Sequence, residues 1–174
     1  MKYFVLMIAL LCIAAPASAQ TPVPKETADK YLQNCMAKPI PDLSASGQKI
    51  MCACQAARLP VYFTVEEWNT MIGQDPTTAR VAYNTMLTNI YAPCMEEPTR
   101  EMYYKMCADS AATDQTICKC TADNLAAYMK ISGGEVFGDI LVQDPMTVDP
   151  MAVLERNANF QKVKEDAAKN CAGM

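Results

Sequence analysis

Two short cysteine motifs constrain the fold of this chain more than any other feature. Both have the spacing Cys-x-Cys, and they read Cys52-Ala53-Cys54 and Cys118-Lys119-Cys120. Each is followed by the same frame, x-Ala-x-x-Leu, which ends at Leu59 in one case and at Leu125 in the other. One further cysteine precedes each motif and one follows it. The order predicts a four-cysteine unit that occurs twice, as helical repeats 20–98 and 99–174.

Cysteines two residues apart on a helix point to opposite sides, because each residue turns the helix by about 100°. The two members of a Cys-x-Cys pair therefore cannot readily bond to each other, and each is placed to bond to a different neighbouring helix. If the bonds stay within a repeat, two pairings remain open for each repeat. We favour Cys35 with Cys52, Cys54 with Cys94, Cys107 with Cys118 and Cys120 with Cys171, and the crossed pairing is the alternative.

The first 19 residues have the pattern of an export signal. Lys2 precedes an apolar stretch, and Ala17-Ser18-Ala19 supplies the small residues of a cleavage site. Eight of the nine cysteines follow this segment, and an even count in an exported chain indicates disulfides. We predict that 1–19 is removed and that the protein is periplasmic or secreted, with a Gram-negative bacterium as the favoured source.

The charge balance excludes several classes of partner. The full sequence has 15 Lys and Arg against 19 Asp and Glu, and loss of Lys2 would leave 14 against 19, a net charge of about −5. Nucleic acids and anionic membrane surfaces attract basic proteins. We therefore expect no nucleic-acid partner. The apolar run of the first 19 residues is too short to span a bilayer, so we also expect no stable membrane insertion.

Apolar residues recur at helical spacing along most of the chain. A first helix is predicted over 25–38, because Ala28, Tyr31, Leu32 and Cys35 follow the i, i+3, i+4, i+7 pattern. The first Cys-x-Cys helix, 48–59, is capped by Ser44 or Ser46 and ends or kinks at Pro60. Thr64 and Glu67 have the form of a capping box that opens a short helix, and Asp75-Pro76 opens the next.

The second half repeats this order of features. Its Cys-x-Cys helix is predicted to begin at Thr113 or Asp114 and to stop at Gly133-Gly134. A last helix is predicted from Asp149-Pro150 onwards. Alternating β-branched residues of the kind found in sheets are absent, apart from the short stretch 59–64. The sequence therefore predicts an all-α, disulfide-stapled bundle in which the two repeats pack as one unit.

Candidate catalytic and metal sites are few. The sequence has no histidine, which excludes Ser-His, Cys-His and His-metal sites. Three carboxylate pairs are adjacent in sequence, which splays them apart on a helix and favours capping or solvation over acid–base chemistry. They are Glu66 with Glu67, Glu96 with Glu97, and Glu165 with Asp166. We predict no catalytic residue and no cofactor.

The Cys-x-Cys pairs also admit a redox or a metal interpretation. A redox pair must close on itself and have an activated thiol, whereas these pairs lie in helix bodies and have other partners. Zinc would require Cys52, Cys54, Cys118 and Cys120 together, which would leave the flanking cysteines unpaired. Copper(I) is better matched by methionines such as Met102 and Met106, although methionine is also a common core residue.

A small aromatic cluster is the remaining candidate surface. Tyr62, Phe63 and Trp68 lie near Pro60 and could line a ligand or partner groove. The competing and favoured interpretation is an aromatic plug between helices.

In architecture the chain resembles plant lipid-transfer and seed-albumin proteins, which also tie a central Cys-x-Cys helix to its neighbours. Those families carry an adjacent Cys-Cys pair that is absent here, so no residue role is transferred. We predict an exported, non-enzymatic protein that binds another protein or a small apolar ligand. The alternatives are a thiol-redox or copper(I)-handling protein and a stress chaperone that loosens in acid.

Overall fold

A computed structural model describes residues 21–73, 79–110, 114–144 and 150–173. Within these ranges every regular element is helical, and the only pairing of extended residues is an isolated bridge between Pro22 and Thr64. The all-α prediction is therefore confirmed. The predicted export signal, 1–19, and the predicted helix start at Asp75-Pro76 lie outside the described residues.

Eight α-helices occur in the described ranges. They are α1 (Lys25–Ala37), α2 (Ala45–Tyr62), α3 (Val65–Gly73), α4 (Arg80–Thr85), α5 (Glu96–Ala108), α6 (Gln115–Gln143), α7 (Pro150–Leu154) and α8 (Ala158–Ala172). Helix α4 continues directly into a π-helical segment, Met86–Tyr91, and a 3-10 turn, Ala92–Cys94, so only Met95 separates this helical stretch from α5.

Short polar residues begin the helices as the sequence indicates. The side chain of Ser44 accepts a hydrogen bond from Gly47 N at 2.9 Å and caps α2. Thr64 and Glu67 form the predicted capping box, with Thr64 N donating to the Glu67 carboxylate at 2.9 Å and Glu67 N donating to Thr64 Oγ1 at 3.2 Å. Asp114 caps α6.

The prediction that the second Cys-x-Cys helix stops at Gly133-Gly134 is wrong. Helix α6 runs through both glycines to Gln143 and is 29 residues long. A Cβ atom on Gly133 would lie 3.1 Å from the backbone oxygen of Ala92, and one on Gly134 would lie 3.3 Å from the backbone oxygen of Thr88. The glycines therefore serve close packing of α6 against the π-helical and 3-10 segments.

Two other helix boundaries differ from expectation. Of the two outcomes predicted for Pro60, an end of the helix is wrong: α2 continues through Pro60 to Tyr62, although proline has no backbone N–H to donate within the helix. The single last helix is instead two, α7 and α8, separated by a turn. Asn157 begins the second by accepting a hydrogen bond from Phe160 N at 3.0 Å.

Helix α6 contributes more buried residues to the larger core than any other element. Its buried side chains pack with residues of α2, α5, α7 and α8, so this core contains residues from both halves of the chain. Fully buried members include Cys52, Leu125, Met129, Phe137, Ile140, Leu154 and Phe160. A smaller core lies in the first half and is formed by Val23, Ala28, Leu59, Phe63, Ala82 and Ile90.

Candidate functional site

All eight cysteines after residue 19 are joined in disulfides. The pairs are Cys35–Cys52, Cys54–Cys94, Cys107–Cys118 and Cys120–Cys171, with Cα atoms 5.4 to 5.8 Å apart. They are the pairs favoured from the sequence. Each Cys-x-Cys helix is thus bonded both to the helix before it and to a later segment. Stabilisation by each bridge is typically about 2 to 4 kcal/mol.

The disulfides bear directly on the redox and zinc interpretations. The four cysteines that would form a zinc site belong to four different bridges, so none presents a thiolate in this state.

Four disulfides indicate an oxidising environment, extracellular or periplasmic. Among the described residues, no helix is both long enough and apolar enough to span a bilayer.

The three aromatic candidates do not form one open surface. Phe63 is buried in the smaller core, and Trp68 packs edge-on against it with ring centroids 6.1 Å apart. Tyr31 completes the cluster at 6.1 Å from Trp68. Only Tyr62 is exposed, and the guanidinium of Arg58 lies 4.9 Å from its ring centroid. Phe63 and Trp68 therefore pack in the smaller core between helices and do not line an open groove.

A groove lies along the seam between α5 and α6. The two helices are antiparallel, because Arg100 faces Asp123 at one end and Cys107 is bonded to Cys118 at the other. The groove has a volume of about 540 Å³. Its lining residues are Arg100, Glu101 and Tyr104 from α5, and Gln115, Thr116, Lys119, Ala122 and Asp123 from α6. We call it the α5–α6 groove.

Charges in the α5–α6 groove neutralise one another. Arg100 donates to Asp123 at 3.0 Å and to Glu96 at 3.2 Å, and it also contacts Glu97. Lys119 donates to Asp123 at 2.6 Å, and this hydrogen bond is the main cause of a lowered Asp123 pKa. The two cations are therefore held by carboxylates rather than left open for an anionic ligand.

Glu101 fixes one wall of the groove to the first half of the chain. Its carboxylate accepts hydrogen bonds from Ser44 N at 2.7 Å and from Ser44 Oγ at 2.6 Å. Ser44 is the cap of α2, so the carboxylate lies at a helix N-terminus, where negative charge is favoured. The carboxylate lies so close to Gly47 that a Cβ atom there would overlap it. The Glu101 carboxylate therefore has a structural partner in Ser44.

Two polar side chains remain for recognition. Within the described chain, the Tyr104 hydroxyl and the Gln115 amide have no hydrogen-bond partner. Tyr104 is 38 % exposed, and Gln115 is exposed at the start of α6. The groove is not among the sites predicted from the sequence. Its local signals are the i, i+4 spacings of Glu96 with Arg100 and of Lys119 with Asp123, which predict ion pairs but no cavity.

The paired carboxylates have structural partners. Glu67 closes the capping box of α3, Glu96 and Glu97 bind Arg100, and Glu165 lies 3.7 Å from Lys169. A hydrogen bond from Lys130 is the main cause of the lowered pKa of Glu96. Across the described ranges, no group of three or more His, Cys, Asp or Glu side chains is arranged to hold a metal ion.

Comparison of the chain with protein-family models, with curated proteins and with solved structures gives no match. The class of this protein is accordingly defined by its own fold: an all-α, cysteine-rich protein whose helices are joined by four disulfides.

Proposed function

We propose that this is an exported, disulfide-stabilised helical binding protein without a catalytic centre. Its ligand would be an uncharged, largely apolar group that enters the α5–α6 groove, either a small molecule or side chains of a partner protein. Binding sites for small molecules typically have volumes of about 300 to 1,000 Å³ with few polar groups. The groove's volume falls in this range, and Tyr104 and Gln115 would supply the polar contacts.

Charge compensation is the observation that carries this proposal. Arg100 and Lys119 are each within 3.0 Å of Asp123, and Glu101 is bound by Ser44. A charged ligand would have to break these pairs and leave one of their members without its partner. An uncharged ligand leaves them intact and gains from burial of apolar surface.

Three further proposals concern the internal repeat, the export signal and the location of the protein. We propose that 20–98 and 99–174 are related repeats, since each has a Cys-x-Cys helix bonded to the preceding helix and to a later segment. We propose that 1–19 directs export and is then removed. The favoured location is the periplasm of a Gram-negative bacterium, where disulfides form.

Obstruction of the groove tests the binding site. Thr116→Trp places a large ring on an exposed lining position of α6, and Ala127→Trp places the same ring on an exposed position three turns further along. The probe is a set of uncharged aromatic fragments, monitored by backbone amide shifts in NMR. We expect fragment-induced shifts around Ala122 in the native protein and in Ala127→Trp, and at least a tenfold weaker affinity in Thr116→Trp, about 1.4 kcal/mol.

Two results would contradict the proposal. One is fragment binding that is equally strong in Thr116→Trp, which would place the ligand elsewhere. The other is turnover of a substrate by the oxidised protein, since a binding protein without a catalytic centre has none.

A further inference from the structure

A second cavity has a different chemistry. It lies between the connection of α1 to α2, the helix α2 and the start of α5, and it has a volume of about 250 Å³. Met51, Met95 and Met102 all line it, together with Tyr91 and apolar residues that include Ile40 and Leu43. No charged side chain is among its lining residues. We call it the methionine pocket.

Disulfides hold two of the three methionines in place. Met51 directly precedes Cys52, which is bonded to Cys35, and it is only 4 % exposed. Met95 directly follows Cys94, which is bonded to Cys54, and it is 1 % exposed. Both side chains are buried and their backbone is held by the adjacent disulfide, so they are ordered before a ligand arrives and binding costs less conformational entropy.

The third methionine lies nearer to solvent. Met102 is half-buried on α5 and faces away from the α5–α6 groove, because it is two residues from Tyr104 on a helix. The methionine pocket and the groove are therefore separate sites. Met106, one turn after Met102, is 54 % exposed and does not line the pocket.

Thioether sulfur is a neutral, soft ligand that suits soft monovalent cations such as copper(I) better than the hard cations Mg²⁺ and Ca²⁺, which take oxygen ligands. The described cysteines are all in disulfides, so no thiolate competes for such a cation. Met51 and Met95 also belong to the larger core, and with Met102 they border a cavity that their side chains leave unfilled. We propose that the methionine pocket binds one copper(I) or silver(I) ion through Met51, Met95 and Met102. This goes beyond ligand binding in the α5–α6 groove.

Silver(I) is the probe of choice because it needs no reductant, and a reductant would endanger the disulfides. The oxidised full chain is labelled with ¹³C at the methionine methyl groups and titrated with Ag⁺, and native mass spectrometry gives the stoichiometry. We expect one ion for each chain and shifts confined to three methionine methyl signals. Met102→Leu should weaken binding by at least about tenfold, since one of three ligands is lost. Met106→Leu should bind as the native protein does.

Leucine is close to methionine in volume, so both variants should fold, and circular dichroism checks this. The methyl shifts of the native protein give a readout that does not depend on any variant. The proposal is overturned if Ag⁺ does not bind, if the shifts spread over many methionines, or if Met102→Leu and Met106→Leu have equal affinities.

Discussion

Gln48 shows how one buried polar side chain holds the connection between two helices. It is 4 % exposed, and its amide nitrogen donates to the backbone oxygens of Cys35 at 2.7 Å and Lys38 at 2.8 Å. Its amide oxygen accepts from Ile40 N at 3.3 Å. The carbonyl groups at the end of a helix have no partner within that helix. Gln48 therefore satisfies the end of α1 from within α2.

Replacement of Gln48 by leucine should destabilise the protein. The side chain keeps a similar size, but three backbone groups lose their partner, and an unsatisfied buried polar group costs about 1 to 3 kcal/mol. Some of these groups lie at a loop where water can reach them, so we expect a loss of about 3 kcal/mol in the free energy of unfolding. Urea denaturation measures it, with the exposed neighbour Lys49→Leu as control. A loss no larger than that of the control would refute this role.

At the scale of the residue, contacts between near neighbours in sequence could be predicted, whereas contacts between distant residues could not. The capping box of Thr64 and Glu67 involves residues three apart, and the sequence predicts it correctly. The bonds of Gln48 reach back 13 residues to Cys35. A glutamine at a helix start gives no local indication that a preceding helix ends beside it.

At the scale of the element, α6 determines how the second half packs. The helix approaches the backbone of the 3-10 and π-helical segments where it carries Gly133 and Gly134. The third glycine of the helix, Gly138, has no atom within 4 Å of the position a Cβ would occupy. The same residue type therefore serves close packing at two positions and has no packing role at the third.

Alanine substitutions distinguish these positions. Gly138→Ala should raise the free energy of unfolding by about 0.5 to 1 kcal/mol, because alanine costs less backbone entropy in a helix. Gly133→Ala should lower it by about 1 kcal/mol, because crowding against the oxygen of Ala92 costs about 1 to 3 kcal/mol and exceeds the helix gain. Thermal and urea denaturation measure both variants under identical conditions. Equal stabilisation by the two substitutions would show that the close approach is unimportant.

The glycine pair also shows a limit of helix-end signals. Gly-Gly after a helical pattern predicts a stop, since glycine is common just past helix ends. The decisive contact is with Ala92, which is 41 positions earlier in the chain. The apolar pattern continues past the pair with Val136, Phe137 and Ile140, all buried. That continuation was the available signal that the helix goes on.

At the scale of the whole molecule, contacts between distant residues define the candidate sites. Ser44 binds Glu101 from 57 positions away, and Tyr103 donates to Glu155 from 52 positions away. The helical class follows from periodicity, and cysteine spacing narrows the disulfides to two pairings in each repeat, between which the structure decides. The α5–α6 groove follows from neither, because a cavity depends on how far apart two packed helices lie.

Glu155 links α5 to α8 through its carboxylate. The Tyr103 hydroxyl and the Gln161 amide donate to it, and Lys164 Nζ lies 2.9 Å from it. Burial acts to raise the pKa of Glu155, but these hydrogen bonds and the Lys164 charge outweigh it and lower the pKa below its ordinary value of 4.5. Burial and then Glu155 itself raise the pKa of Tyr103, so the phenol stays protonated and remains a donor.

Acid should therefore weaken the junction of α5 and α8. A carboxylate whose pKa is lowered on folding contributes stability that is complete above its unfolded pKa and is lost as pH falls through the folded pKa. Native protein should be more stable than Glu155→Gln at pH 7, and this difference should shrink as pH falls below about 4.5, the ordinary value. Urea denaturation at a series of pH values measures the difference. Glu66→Gln, an exposed change on α3, serves as control and should give a small difference at every pH. A difference for Glu155→Gln that stays constant as the pH is lowered well below 4.5 would contradict the lowered pKa.

Loosening of the bundle in acid is also what the chaperone alternative requires. If the protein loosens at low pH but does not suppress the aggregation of a client protein there, that alternative is excluded.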